Sequence, residues 1–207
     1  MAAAYDNKIA ITSVYTMDLV TTLKGHNGTV LSVAWVMGDR YLISGGAEGA
    51  IYQWDVVTGD RVQEIVHKGT EYRSVCVSSN DPISIYGTTQ FGILREFQNS
   101  EIVREINVSS RAKCPLVNVT LSRSNLIMFV SNEAGDLVNV QLPFMEAGGG
   151  SCVNYRFFTS QINKMRFTYD GTLLVAASKA GTLSIWALDH IEGKVASMDS
   201  DLLRSKE

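Results

Sequence analysis

Few side chains in this sequence are spaced for catalysis or metal binding. The three histidines, His26, His67 and His190, lie far apart, and the three cysteines form no Cys-x-x-Cys pair that would indicate a zinc site. Ser151, in the stretch GGGSC, lacks the Gly-x-Ser-x-Gly pattern of a nucleophile elbow, and no Walker-type phosphate loop occurs. The sequence therefore predicts no enzymatic activity, no cofactor and no metal ion, with His67 and His190 as solvated loop residues.

The charge balance and the apolar runs exclude two further classes of partner. The formal net charge of −3 offers no surplus of Lys and Arg for binding nucleic acid. No stretch reaches the roughly 18 apolar residues of a membrane-spanning helix, and the N-terminus lacks the basic start and apolar centre of a signal peptide. We therefore expect a cytoplasmic protein without nucleic-acid binding or membrane insertion.

One short motif recurs along the chain and indicates the elements that position its residues. A glycine is followed five residues later by a large apolar residue, and successive glycines lie 43, 43 and 46 residues apart. A repeat of about 40 to 45 residues, ending in Trp-Asp in its first copy, is typical of four-stranded β-propeller blades. The glycine and apolar anchors are Gly49 and Trp54, Gly92 and Phe97, Gly135 and Val140, and Gly181 and Trp186.

Alternation of apolar and polar residues predicts strands between these anchors. In the first full repeat the predicted strands are 29–36, 40–45, 50–55 and 61–66. The stretch NKIAIT at 7–12 predicts the third strand of an earlier blade, and TMDLVTTL predicts its fourth. The prediction is therefore an all-β propeller of about four blades plus a partial N-terminal blade over 1–188. The charged tail, 189–207, is predicted to be a linker or the start of a coiled-coil helix.

The first repeat resembles the WD40-repeat family through LKGHNGTVLSVAW and DRYLISGGAEGAIYQWD. Members of that family hold a His, a Ser or Thr, an Asp and the Trp in one buried hydrogen-bonded set. The resemblance implies such a set of His26, Ser44 and Trp54, with Glu48 in the Asp position. The longer Glu48 side chain either reaches the imidazole by a different route or leaves the set incomplete. The other repeats have lost most of these residues, so packing must hold their blades.

Three further stretches carry a second resemblance: the run from DNKIAIT to LSVAW, GILREF with EIVREI, and INKMRFTYDGTLLVAASKAGTLSIWALD. They resemble the cilia- and flagella-associated WD-repeat proteins of the axoneme. It implies a scaffold that helps dock or regulate inner dynein arms on doublet microtubules for ciliary motility. The implied partners are inner dynein arm components, coiled-coil docking proteins and the doublet microtubule. The alternative is a soluble cytoplasmic WD40 adaptor in a ubiquitin-ligase or signalling complex.

Three residues are candidates for a partner interface. Phe91 stands where a polar turn residue is usual, beside Gly92, and it fits either an interface or core packing. Arg95 and Arg104 are the other two, although with Glu96 and Glu105 they also fit a solvated set of cross-strand charges. Seven blades of about 43 residues would need roughly 300 residues. We therefore expect a piece of a larger propeller, or one that another chain completes.

Overall fold

The computed structural model describes residues 1–36, 38–79, 82–108, 114–142, 152–189 and 194–196. These residues form 19 strands and no helix, so the described part contains no helix long and apolar enough to cross a membrane. The strands make five antiparallel sheets, and in each sheet neighbours in sequence are neighbours in space. This confirms the all-β propeller architecture.

The first sheet has three strands and the other four sheets have four each. The first sheet contains β1 (Ala2–Tyr5), β2 (Lys8–Thr12) and β3 (Leu19–Lys24). The second contains β4 (Val30–Trp35), β5 (Tyr41–Gly46), β6 (Ala50–Asp55) and β7 (Arg61–Val66). The third contains β8 (Tyr72–Val77), β9 (Ile85–Thr89), β10 (Ile93–Gln98) and β11 (Glu101–Asn107). The fourth contains β12 (Leu116–Leu121), β13 (Ile127–Asn132), β14 (Leu137–Gln141) and β15 (Cys152–Tyr155). The fifth contains β16 (Ile162–Phe167), β17 (Leu173–Ser178), β18 (Leu183–Asp189) and β19 (Lys194–Ala196).

The hydrophobic core consists of four apolar clusters, one between each pair of successive sheets. Ile9 of the first sheet, for example, packs with Leu42 and Trp54 of the second. Each sheet must bury both faces because a single four-stranded sheet cannot form a core alone. The first strands of the four complete sheets, β4, β8, β12 and β16, lie side by side. The sheets are therefore arranged as adjacent blades.

A β-bulge recurs at the same place in the first strand of every complete sheet. The register shifts at Leu31, Arg73, Val117 and Asn163. In three of the sheets the next residue's side chain then bonds to the backbone of the following blade. Ser32 Oγ accepts a hydrogen bond from Val75 N at 3.1 Å, Ser74 Oγ accepts one from Val119 N at 3.2 Å, and Asn118 Nδ2 donates to Ile162 O at 2.7 Å. Because hydrogen bonds are directional, these links favour one relative orientation of neighbouring blades, which otherwise make apolar contacts.

The structure differs from the sequence interpretation at both ends. Strand β1 was not predicted. It contacts β4, the first strand of the next sheet, just as β5, the second strand of its own sheet, contacts β8. Strand β1 is therefore the second strand of its blade. Its sequence, AAAY, is mostly exposed and lacks the β-branched alternation that marks strands. Strand β19 lies in the tail for which a linker or helix was predicted, where Val195 pairs with Leu188. Three residues are too few to give a periodic signal. The rest of the tail lies outside the described residues.

Candidate functional site

The most complete polar cluster lies at one end of the second sheet. His26 follows β3, Ser44 lies on β5, Glu48 lies in the turn before β6, and Trp54 lies on β6. His26 Nε2 is 2.6 Å from Ser44 Oγ, and Ser44 Oγ also accepts a hydrogen bond from Trp54 Nε1 at 2.8 Å. His26 Nδ1 is 2.5 Å from Glu48 Oε1. The structure therefore brings together the four residues that the family resemblance implied.

The partners in this cluster determine where the imidazole proton lies. A carboxylate only accepts hydrogen bonds, so Nδ1 of His26 carries a proton and donates it to Glu48. The Ser44 hydroxyl accepts from the indole of Trp54 and has one proton of its own, which it donates to Nε2 of His26. Both imidazole nitrogens of a neutral His26 are thus paired, whereas the second carboxylate oxygen, Glu48 Oε2, is buried without a hydrogen-bond partner among the described residues.

Two glycines make room for the longer Glu48 side chain. A Cβ atom added at Gly46 would lie 2.1 Å from Glu48 Oε2, and one added at Gly28 would lie 2.9 Å from the same oxygen. The second carboxylate oxygen therefore occupies space that side chains at 28 and 46 would fill. The Glu48 side chain therefore reaches the imidazole, which is the first of the two alternatives for this residue. The two glycines provide the space that it needs.

Gly46→Ala is expected to destabilise the chain by about 1 to 3 kcal/mol, as overpacking does. The new methyl group would displace the Glu48 carboxylate and crowd His26 Nδ1, which is 2.8 Å from the ideal Cβ position. Glu48→Asp should recover part of this loss in the Gly46→Ala background, because the shorter side chain withdraws the clashing atoms. Urea unfolding of the two single variants and the double variant measures the coupling. Strictly additive free energies would contradict the proposed packing of Glu48 over Gly46.

Burial sets the protonation of His26. Desolvation is the main cause that lowers the pKa of His26 below its ordinary value of 6.5, although Glu48 opposes it. The pKa of His67 is lowered as well, first by burial and then by the positive charge of Arg95. Both folded-state pKa values lie below the unfolded value, so the unfolded chain binds more protons as the pH falls below 6.5.

The free energy of unfolding is therefore expected to decrease between about pH 7.5 and pH 5.5. The contribution of the two histidines is fully present above 6.5 and is lost as the pH falls through their folded-state pKa values. Urea unfolding at the two pH values, with the wild-type chain and the His26→Gln and His67→Gln variants, tests this. Each variant should show a smaller loss between the two conditions than the wild type. A loss of equal size in all three would assign the pH dependence to other groups.

The repeat anchors of the other sheets are buried in equivalent places. Phe97 and Val140 are fully buried, and Trp186 is almost so. The four repeat glycines, Gly49, Gly92, Gly135 and Gly181, all have positive φ angles between +81° and +89°. Positive φ is rare for residues with a side chain, which explains the recurrence of glycine at this turn.

The third sheet carries a different polar network, which the sequence did not reveal. Tyr72 Oη lies 3.0 Å from His67 Nδ1 and accepts a hydrogen bond from Arg95 Nη1 at 3.1 Å. A Cβ atom at Gly87, which stands at the Ser44 position of this repeat, would lie 2.9 Å from Tyr72 Cδ1. The Tyr72 ring thus fills the space that a serine would need. His67 lies in the turn after β7 as expected, but it is half-buried rather than fully solvated, and its ring packs 5.8 Å from that of Phe97.

The three candidate interface residues differ in their surroundings. Arg95 Nε bonds to Glu105 Oε2 at 3.0 Å, and Arg104 Nη1 bonds to the buried Glu96 at Oε2, also at 3.0 Å. These residues face each other across β10 and β11, which matches the cross-strand alternative. Phe91, by contrast, is 47% exposed in the turn between β9 and β10. Phe91 is therefore the candidate that presents a large apolar surface to solvent.

The described residues contain no group of three or more His, Cys, Asp or Glu side chains placed to hold a metal ion. His190 and Ser151 lie outside the described residues.

Comparisons with known proteins agree with the architecture. A family model described as "WD domain, G-beta repeat" matches residues 17–55 and 151–187. Cilia- and flagella-associated protein 57 of Mus musculus is 28% identical over 93% of this chain and 15% of its own length. The eukaryotic translation initiation factor 3 subunit I of Bombyx mori is 24% identical over 92% of this chain and 60% of its own length. The U3 small nucleolar RNA-associated protein 18 homolog of Arabidopsis thaliana is 33% identical over 46% of this chain and 17% of its own length.

The chain thus spans less than two thirds of the length of each of these relatives, and only 15% of the mouse protein. Their printed names refer to different cellular assemblies. The matched repeat at 17–55 includes His26, Ser44, Glu48 and Trp54, which form the hydrogen-bonded cluster of the second sheet. Residues 17–55 and 151–187 thus match the WD-repeat family model, and the described residues fold as adjoining blades of a β-propeller.

Proposed function

We propose that the chain is part of a non-catalytic WD-repeat scaffold of the ciliary or flagellar axoneme, which helps dock or regulate inner dynein arms on doublet microtubules. The observation that carries this proposal is the similarity to the mouse cilia- and flagella-associated protein over 93% of the chain. The proposed partners are inner dynein arm components, coiled-coil docking proteins and the doublet microtubule.

The structure supports a scaffold role through rigid display of surface residues. Cores on both faces of the second, third and fourth sheets fix the loops that connect their strands. A Phe that is 47% exposed in such a loop is a large apolar group held in one place. Aromatic residues of this kind dominate the binding energy of protein interfaces. Phe91 is therefore the proposed contact for an axonemal partner, and Arg95 and Arg104 support the sheet beneath it.

The proposal includes completion of the propeller by another chain or segment. Leu183 on the fifth sheet is 51% exposed, whereas Ile51, which occupies the same place in the second sheet, is 1% exposed. The difference arises because the third sheet covers Ile51, while no described sheet covers Leu183. Val175 and Ile185 pair across β17 and β18 and extend this half-buried apolar face. A further blade would bury it.

The first test is quantitative mass spectrometry of the protein in demembranated, salt-washed axonemes against the soluble cell fraction. Enrichment in the washed axoneme is the expected result. A wholly soluble distribution would overturn the axonemal proposal and favour the alternative, a soluble WD40 adaptor in a ubiquitin-ligase or signalling complex. The observation that supports a function outside the axoneme is the similarity to the translation initiation factor subunit over 92% of the chain.

Completion of the propeller is tested separately by lysine cross-linking in the same preparation. Lys164 is exposed and pairs with Ala177, on the side of the fifth sheet that also carries Val175. Cross-links from Lys164 to peptides outside these 207 residues are expected. Cross-links confined to this chain would contradict completion by another blade and would leave the question of cellular location unchanged.

A further inference from the structure

A cleft of about 240 Å³ opens between the second and third sheets. Its wall on the second sheet is formed by Gln53 of β6 and Gln63 of β7. The third sheet contributes Ile85 at the start of β9, Ile83 in the segment before it, and the turn between β10 and β11. The cleft thus lies at the seam between two blades, away from the His26 cluster.

The lining of the cleft combines an apolar floor with an amide rim. Ile85 and Phe97 form the floor and are almost fully buried, while Ile83 at the mouth is 43% exposed. The side chains of Gln53 and Asn99 at the rim make no hydrogen bond to any described residue. None of the described lining residues carries a charge. This chemistry fits an uncharged ligand that has an apolar group and hydrogen-bonding groups beside it.

The size of the cleft limits the ligand further. Sites for whole small molecules usually enclose about 300 to 1,000 Å³. A cleft of about 240 Å³ therefore takes one side chain and its neighbouring peptide groups rather than a cofactor. Each side-chain amide offers both donors and an acceptor, which matches the N–H and C=O groups of an extended backbone.

One rim of the cleft is the two-residue hairpin turn between β10 and β11. Asn99 and Ser100 have φ angles of +50° and +71°, a left-handed conformation that residues with a Cβ rarely adopt. Gln63 Nε2 donates a hydrogen bond to Ser100 Oγ at 2.8 Å across the seam and so ties this turn to the second sheet. Together with the apolar cluster between the second and third sheets, this bond holds the two walls in place before a ligand arrives, which lowers the entropic cost of binding.

We propose that this cleft binds one apolar side chain of an extended, uncharged peptide segment of a partner protein, with Gln53 and Asn99 bonding to the peptide backbone. The site deepens the proposed scaffold role by assigning a surface and a class of partner segment. Its test uses purified chain, so a failure here does not affect the axonemal proposal, and a soluble cellular location does not affect this one.

The test is an NMR titration of the chain with three capped tripeptides: N-acetyl-Gly-Leu-Gly-amide, N-acetyl-Gly-Phe-Gly-amide and N-acetyl-Gly-Lys-Gly-amide. The Leu or Phe peptide should give saturable shifts at the side-chain amides of Gln53 and Gln63 and at the backbone amide of Asn99. The Lys peptide should bind at least about tenfold more weakly than the Leu or Phe peptide, because its ammonium group would lose its hydration in the cleft.

Ile83→Lys should abolish these shifts, because it places a charge at the mouth without emptying the core. Val57→Lys is the matched control: Val57 is 81% exposed, lies in the turn after β6 and does not line the cleft, so its replacement should leave binding unchanged. Absence of saturable shifts with all three peptides would overturn the proposal. Equal binding by the Lys peptide, or binding that survives Ile83→Lys, would also overturn it.

Discussion

Trp54→Ala is expected to lower the free energy of unfolding by about 3 to 5 kcal/mol, the usual cost of truncating a large buried aromatic residue. Trp54 is 2% exposed and packs with Ile9 and Leu42 between the first and second sheets. Its ring also lies edge-on to that of Tyr52, with 5.7 Å between the centroids. Truncation removes these contacts and the indole N–H that donates to Ser44, so it disturbs the core and the polar cluster together.

Two variants separate these contributions. Trp54→Phe retains much of the apolar contact but removes the N–H donor, so it should cost distinctly less than Trp54→Ala. Trp35→Ala is the control for loss of an indole from the same region. Trp35 is half-buried and packs against the apolar cluster that contains Trp54. Urea unfolding followed by far-UV circular dichroism measures all three. An unchanged unfolding midpoint for Trp54→Ala would remove the role of this residue as the anchor of its blade.

The strands of the second sheet could be predicted because their signals are local. The glycine, the alternation that follows it and the closing Trp-Asp lie within one short segment, Gly49 to Asp55, and β6 has the predicted bounds, 50–55. The same reasoning located Phe97 and Val140 in the core, because their spacing from a glycine repeats that of Trp54. The position of a residue in a blade follows from that spacing even where its chemistry has changed.

The polar networks could not be predicted in the same way, because they depend on which side chains are missing elsewhere. The Tyr72 ring occupies its place because Gly87 lacks a side chain, and Glu48 fits because Gly46 lacks one. A glycine in a strand signals that space exists but not which neighbour fills it. The links from Ser32 and Ser74 to the next blade likewise follow from bulges that the apolar pattern does not mark. These are the features for which coordinates were needed.

Gly49→Ala is expected to cost about 2 to 5 kcal/mol, because two separate penalties add. The residue has φ of +89°, which is unfavourable for alanine by about 1 to 2 kcal/mol. An added Cβ would also lie 2.1 Å from His67 O and 2.6 Å from Thr70 O. Both are backbone atoms, and His67 N donates to Gly49 O at 2.8 Å, so the two segments cannot separate without breaking that bond. Overpacking against rigid atoms of this kind adds about 1 to 3 kcal/mol.

Gly69→Ala isolates the first of these penalties. Gly69 has a similar φ of +80°, but no described atom lies within 4 Å of its ideal Cβ position. Its replacement should therefore cost only the conformational strain of about 1 to 2 kcal/mol. Gly135→Ala should behave like Gly49→Ala, because its Cβ would lie 2.6 Å from Ser160 O and 2.9 Å from Phe158 O. Urea unfolding of the three variants gives the order directly. If Gly69→Ala cost as much as the other two, the recurring glycine would be required by its backbone angle alone, and the close approach of the neighbouring chain segment would contribute nothing.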